Sequence, residues 1–160
     1  MIAWKFLRKG GVAPFTGLAW VPGAWMSGRP AHGAGVHACK VSHLPYWVDD
    51  ELWRIELAEP VVERPTQVEG ARGRLLQRVT AWDPPAFAQA CAGRARGYAR
   101  EAPSAELEEY ARLAERAPAG TAGYVAAVAA VAARGNEGAF AEERAWQARW
   151  LQQTLALREA

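Results

Sequence analysis

Two of the three histidines and one of the two cysteines fall close together, at His37, Cys39 and His43. Imidazole nitrogen and thiolate sulfur are preferred ligands of zinc in proteins. His37 and Cys39 are two residues apart in an alternating segment, so they share one face of a predicted strand, and His43 follows in the next turn. With His32 as a fourth ligand, the sequence gives a zinc site as one hypothesis, although the spacing matches no standard zinc pattern.

The same residues give a second hypothesis, in which Cys39 is a nucleophile and His37 or His43 is its base. Asp49 or Asp50 would then orient the histidine, as the third group of a catalytic triad does. No hydrolase signature surrounds Cys39. The structural alternative is that Cys39 is a small buried side chain with a hydrogen-bonded His37 beside it, and this is the alternative that the pattern favours.

Two further clusters suit chemistry less well. The acidic triplet Asp49-Asp50-Glu51 has the carboxylates for a hard cation or for acid–base catalysis, but its place between a turn and a strand favours a solvated turn. The stretch from Gly70 to Arg74 reads as an exposed basic loop without the P-loop pattern.

Trp146 and Trp150 are four residues apart on the last predicted helix and therefore lie on one side of it. They either cover the core of the helical region or form an aromatic anchor for a partner protein. The amphipathic pattern favours the first interpretation.

The predicted elements give an α+β fold, with the strands first and the helices second. A small, twisted, mostly antiparallel sheet is predicted for residues 1–82, which are rich in tryptophan, and four helices for residues 83–160. The loop most open to motion is predicted at 26–34. The main strands are predicted at 2–8, 36–41, 51–57 and 75–81, and the helices at 84–101, 103–117, 122–134 and 137–158.

Composition narrows the function classes. The chain has 160 residues and a formal net charge of +2, which gives no reason to expect a nucleic-acid or membrane partner. Two cysteines are too few for a disulfide framework, and no segment resembles a secretion signal or a bilayer span. The sequence therefore predicts one soluble cytoplasmic protein with reduced thiols.

Three stretches carry a resemblance to a known group. Gly35-Val36-His37-Ala38-Cys39, Glu51-Leu52-Trp53-Arg54-Ile55-Glu56-Leu57 and Glu143-Arg144-Ala145-Trp146-Gln147-Ala148-Arg149-Trp150-Leu151 resemble segments of a family of uncharacterised actinobacterial proteins. The resemblance covers nearly the whole chain. It implies no activity and no site residues.

The function predicted from these observations is that of a small bacterial accessory protein that binds a protein partner or a small ligand without catalysis. The alternative is a metal protein or enzyme centred on His37, Cys39 and His43. The sequence leaves the oligomeric state open.

Overall fold

The computed structural model describes residues 1–28 and 35–158, and it confirms the α+β class. The chain divides into two compact units. A sheet unit contains Met1–Trp82 and the stretch from Gln152 onward, and a helical unit contains Asp83–Leu151. The sequence prediction had instead assigned every residue after 82 to the helical region.

Residues 1–28 and 35–82 of the sheet unit form seven strands, and the pairings among these strands are antiparallel. A four-stranded sheet has the order β1-β4-β7-β2, and a three-stranded sheet has the order β3-β6-β5. A 3-10 helix, Val41–Tyr46, follows β3. The strands are β1 Ile2–Leu7, β2 Trp25–Ser27, β3 Val36–Ala38, β4 Glu51–Leu57, β5 Val61–Arg64, β6 Gln67–Gly70 and β7 Arg72–Arg78.

The two sheets share one hydrophobic core. Ile55 and Leu75 come from the four-stranded sheet, while Val36 and Val68 come from the three-stranded sheet, and all four belong to one buried cluster. An isolated bridge joins the sheets at Trp4 and Cys39, whose backbones exchange two hydrogen bonds of 2.9 and 2.6 Å. This bridge places the end of β3 directly beside β1.

The acidic triplet organises the turn after β1. Asp50 Oδ2 accepts a hydrogen bond from the Lys9 amide at 2.9 Å, and Glu51 Oε1 accepts one from the Gly10 amide at 3.0 Å. Gly10 has a φ of 84°, a conformation that glycine adopts without steric cost. The sequence predicts a solvated turn for the triplet itself, but Glu51 is buried as the first residue of the strand Glu51–Leu57, and it holds the separate turn after β1 together with Asp50.

The helical unit contains α1 Pro84–Glu101, α2 Ala105–Arg116, α3 Ala119–Arg134 and most of α4 Gly138–Thr154. Asp83 caps α1 by accepting a hydrogen bond from the Ala86 amide, as the sequence predicts. Asn136 likewise accepts one from the Ala139 amide at the start of α4. The start predicted for the third helix, at residue 122, is wrong, because α3 begins at Ala119 behind Pro118.

A buried polar network joins α1 to α4 within this unit. Glu143 is 1% exposed and accepts hydrogen bonds from Arg94 at 2.7 Å and from the Tyr98 hydroxyl at 2.5 Å. Gln147, also buried, donates to the Gly123 carbonyl at 2.9 Å. Removing a carboxylate from water costs hydration free energy. Glu143 can be buried because Arg94 balances its charge and the hydrogen bonds from Arg94 and Tyr98 satisfy its oxygen.

Two loops predicted from the sequence are strands in part. Gly70 is the last residue of β6, and β7 begins at Arg72, so most of the predicted loop is strand. Both Gly70 and Gly73 have close neighbours that leave no room for a side chain. A side chain at Gly73 would place its Cβ 2.8 Å from Val36 Cγ1. Of the loop predicted at 26–34, the first residues belong to β2, and residues 29–34 lie outside the described part of the chain.

Candidate binding cavity

The sheet unit contains a cavity of about 360 Å³. This volume lies within the range of small-molecule sites in proteins, near its lower end. Residues of β1 and β3 form part of the wall, and the loop between β1 and β2 forms much of the rest. The lining side chains that matter for chemistry are Lys5, Thr16, His37, Cys39 and Gln67.

Aromatic and aliphatic side chains form most of the remaining wall. Phe15 stands at the rim with 77% of its surface exposed, and its ring meets the Trp47 ring edge-on at 5.9 Å between centroids. Trp20 is buried behind the cavity, and Leu18 and Val36 complete the apolar surface. Because Phe15 is exposed and also lines the cavity, its ring is available to contact a bound molecule.

Lys5 is the one lysine or arginine in this wall among residues 1–28 and 35–158. It lies on the same face of β1 as the buried residues Ala3 and Leu7, which are two positions before and after it, and that face is directed towards the core. Its Nζ donates a 2.6 Å hydrogen bond to the His37 carbonyl and lies 5.3 Å from the centre of the Trp20 ring. Lys5 as a residue keeps some accessible surface, but burial around its ammonium lowers its pKa from 10.5 to about 8.

His37 and Cys39 also line the cavity, and so do Val36 and Ala38 from the alternate positions of the same segment. Burial lowers the pKa of His37, and Glu69 on the paired strand opposes that change, so the imidazole is mainly neutral near pH 7. Burial raises the pKa of the Cys39 thiol to about 12, against the opposing charge of Lys5. A thiol in this state carries almost no thiolate at neutral pH, which argues against Cys39 as a nucleophile.

The remaining predicted site residues lie elsewhere or are not described. His43 is buried in the 3-10 helix and does not line the cavity, and Asp49 accepts a hydrogen bond at its carbonyl from Trp82 Nε1. Across the described ranges, no three His, Cys, Asp or Glu side chains lie close enough to hold a metal ion. His32 lies outside those ranges, so the zinc hypothesis that includes it stays a prediction.

The two tryptophans of α4 are both half-buried within the helical unit. The Arg94 guanidinium lies 4.6 Å from the centre of the Trp146 ring, and Phe87 meets the Trp150 ring edge-on at 5.5 Å. These contacts explain part of the burial of each indole ring. Their use as an anchor for a partner stays a prediction.

Lys5 was missed as a site residue in the sequence, although a signal for it was present. The segment from Ile2 to Leu7 is apolar at almost every position, which is typical of a strand buried on both faces. A lysine inside such a strand has no exposed face to which its ammonium is directed. The sequence therefore shows a lysine inside a buried strand, but it does not show the cavity that this lysine lines.

Comparisons with protein-family models, with curated proteins and with solved structures found no match to this chain. The resemblance to the actinobacterial family therefore stays a prediction. In the described ranges, every helix is too short or too polar to cross a lipid bilayer.

Proposed function

We propose that this protein binds a small, largely apolar molecule in the cavity of the sheet unit and performs no chemistry on it. The observation that carries the proposal is the concave, aromatic wall with a few polar groups set into it, an arrangement typical of ligand sites. A partner protein is less well suited to the site, because a cavity of about 360 Å³ admits a small molecule or a single side chain.

The proposal includes the cytoplasmic location predicted from the sequence. It is supported by the two cysteines, Cys39 and Cys91, which are both buried as free thiols. Buried free thiols persist in a reducing compartment.

The first test uses a neutral apolar fluorophore, N-phenyl-1-naphthylamine, whose emission rises when it leaves water. We expect saturable binding with one site per chain. Thr16→Trp places an indole among the lining residues and is expected to abolish the signal, while circular dichroism checks that the fold is kept.

A matched pair of surface variants locates the site. Phe15 and Val21 belong to the same unit and are 77% and 57% exposed, but only Phe15 lines the cavity. Phe15→Ala is expected to weaken binding about tenfold through the loss of an aromatic contact, and Val21→Ala is expected to leave it unchanged. Equal effects of the two substitutions, or binding without saturation, would refute the proposal.

A further inference from the structure

Lys5 is a charged group that the apolar cavity does not require. A methionine would fill the same part of the strand at lower cost, because an ammonium removed from water needs either a counterion or several hydrogen bonds. Lys5 also lies opposite Trp53 in the pairing of β1 with β4, so its direct cross-strand neighbour is aromatic. The charge therefore needs a partner that the sheet itself does not offer.

The described residues give that ammonium only part of a shell. One N–H is met by the His37 carbonyl, and the Trp20 ring adds a cation–π contact. No carboxylate of the described residues lies within 4 Å of Nζ. The nearby Glu69 is paired instead with Arg64, at 3.3 Å. An ammonium has three N–H donors, so two remain to be satisfied.

From this geometry we infer that the ligand of the cavity carries a carboxylate group that pairs with the Lys5 ammonium while its apolar body contacts Phe15, Trp20 and Trp47. The inference rests on the proposed binding function and names the chemical class of the ligand. An ion pair inside an apolar cavity supplies the missing counterion and satisfies the donors that remain.

The rest of the lining supports a carboxylate over other charged groups. No aspartate or glutamate is among the lining residues of the described chain, so a cationic ligand would find no counterion there and would be repelled by Lys5. A phosphate carries more charge and more acceptor oxygens than one ammonium can satisfy, and the other polar side chains of the wall, Thr16, His37, Cys39 and Gln67, are neutral near pH 7. A single negative charge on an otherwise apolar molecule matches the wall best.

The test compares ligands that differ only in this charge. Calorimetric titration with octanoate and octanamide, and with 3-phenylpropanoate and 3-phenylpropanamide, measures the preference for the carboxylate at pH 7. We expect each acid to bind about tenfold more tightly than its amide, as is typical for a hydrogen bond to a charged group in place of a neutral one. In Lys5→Met, the acid and the amide are expected to bind equally.

A matched lysine controls for general charge effects. Lys40 belongs to the same unit, pairs with Glu63 at 2.6 Å and does not line the cavity. Lys40→Met is expected to keep the full preference for the carboxylate. Loss of the preference in both variants would overturn the inference, because it would show a diffuse electrostatic effect.

The pH dependence of the wild-type protein gives a readout that does not depend on a variant. The titratable groups beside Lys5 are His37 and Cys39. Burial lowers the pKa values of Lys5 and His37, and it raises the pKa of Cys39. Between pH 7 and 9 the protonated fraction of Lys5 falls about tenfold. Since octanoate is expected to bind the neutral lysine only as tightly as octanamide does, its affinity is expected to fall about fivefold over this range. Octanamide is expected to bind equally at both pH values.

The outcomes separate this inference from the proposed function. Equal binding of acids and amides to the wild-type protein would overturn the carboxylate inference and leave the apolar binding function intact. Absence of binding by the acids, the amides and the neutral fluorophore alike would overturn both. A Lys5 that serves only to hold the His37 carbonyl would show the first of these results.

Discussion

Replacement of Lys5 by methionine is expected to stabilise the protein while it removes a polar group from the cavity. The pKa of Lys5 falls from 10.5 to about 8 in the folded chain, chiefly through burial. That difference corresponds to about 3 kcal/mol by which folding disfavours the charged form. The variant also loses the hydrogen bond to the His37 carbonyl, which offsets about 1 kcal/mol of that gain in stability. We therefore expect Lys5→Met to raise the free energy of unfolding at pH 7 by about 2 kcal/mol.

The pH dependence fixes the sign of this effect. Because the folded pKa of Lys5 lies below its unfolded value, the unfolded chain binds more protons between about pH 8 and 10.5, and folding becomes more favourable as the pH rises through that window. The penalty is present in full below pH 8. For Lys5 alone, the gain in the free energy of unfolding between pH 7 and 9 is about 1.3 kcal/mol.

Urea denaturation of both proteins at pH 7, 8 and 9 measures this gain as a difference. Cys39, Cys91 and Tyr98 have raised pKa values of about 12, so they lower the stability of both proteins as the pH rises towards 9 and above, and the comparison cancels most of their effect. The stability difference between variant and wild type should narrow steadily from pH 7 to 9. A difference that stays constant would show that the ammonium is solvated, which would refute the reasoning.

Three further measurements test the packing described above. Gly93→Ala in α1 meets no atom within 4 Å and is expected to stabilise the protein by about 0.5–1 kcal/mol in thermal denaturation, whereas Gly73→Ala overpacks the core and should destabilise it by about 1–3 kcal/mol; the opposite order would contradict the packing. Glu143→Ala leaves buried donors without their acceptor and is expected to cost about 3 kcal/mol in urea denaturation, and a loss below 1 kcal/mol would show that the network is solvated. Both thiols, Cys39 and Cys91, should react slowly with a disulfide reagent at pH 8 and rapidly in denaturant, because burial raises their pKa values to about 12. A Cys39 that reacts rapidly in the folded protein, identified by comparison with Cys91→Ala, would support the nucleophile hypothesis instead.

The α+β class and most of the elements could be predicted because their signals are local. Alternation defined the strand from Glu51 to Leu57, and Asp83 followed by Pro84 defined the start of α1. The strands around Gly70 and Gly73 could not be predicted, because glycine disfavours strands by propensity and is kept there by close neighbours that are distant in sequence.

The candidate site was predictable only in part. Alternation places His37 and Cys39 on one face of a strand, but the cavity is lined by Val36 and Ala38 as well, so the face alone does not define the wall. The bridge between Trp4 and Cys39 brings this segment beside β1 and Lys5. It is a contact between residues far apart in sequence, so no local pattern encodes it. The sequence therefore pointed to the histidines, while the chemistry of the wall is dominated by a lysine on another strand.

The path of the chain through its two units also sets an order of events on the ribosome. The nascent chain leaves the sheet unit at Trp82 and returns to it at Gln152, so the whole of Asp83–Leu151 is translated in between. Leu155 and Leu157 belong to the returning stretch and are buried. The helices can consequently form before these two leucines of the sheet unit have been translated. A chain arrested at residue 151 would carry every lining residue of the cavity in a unit that is not yet complete.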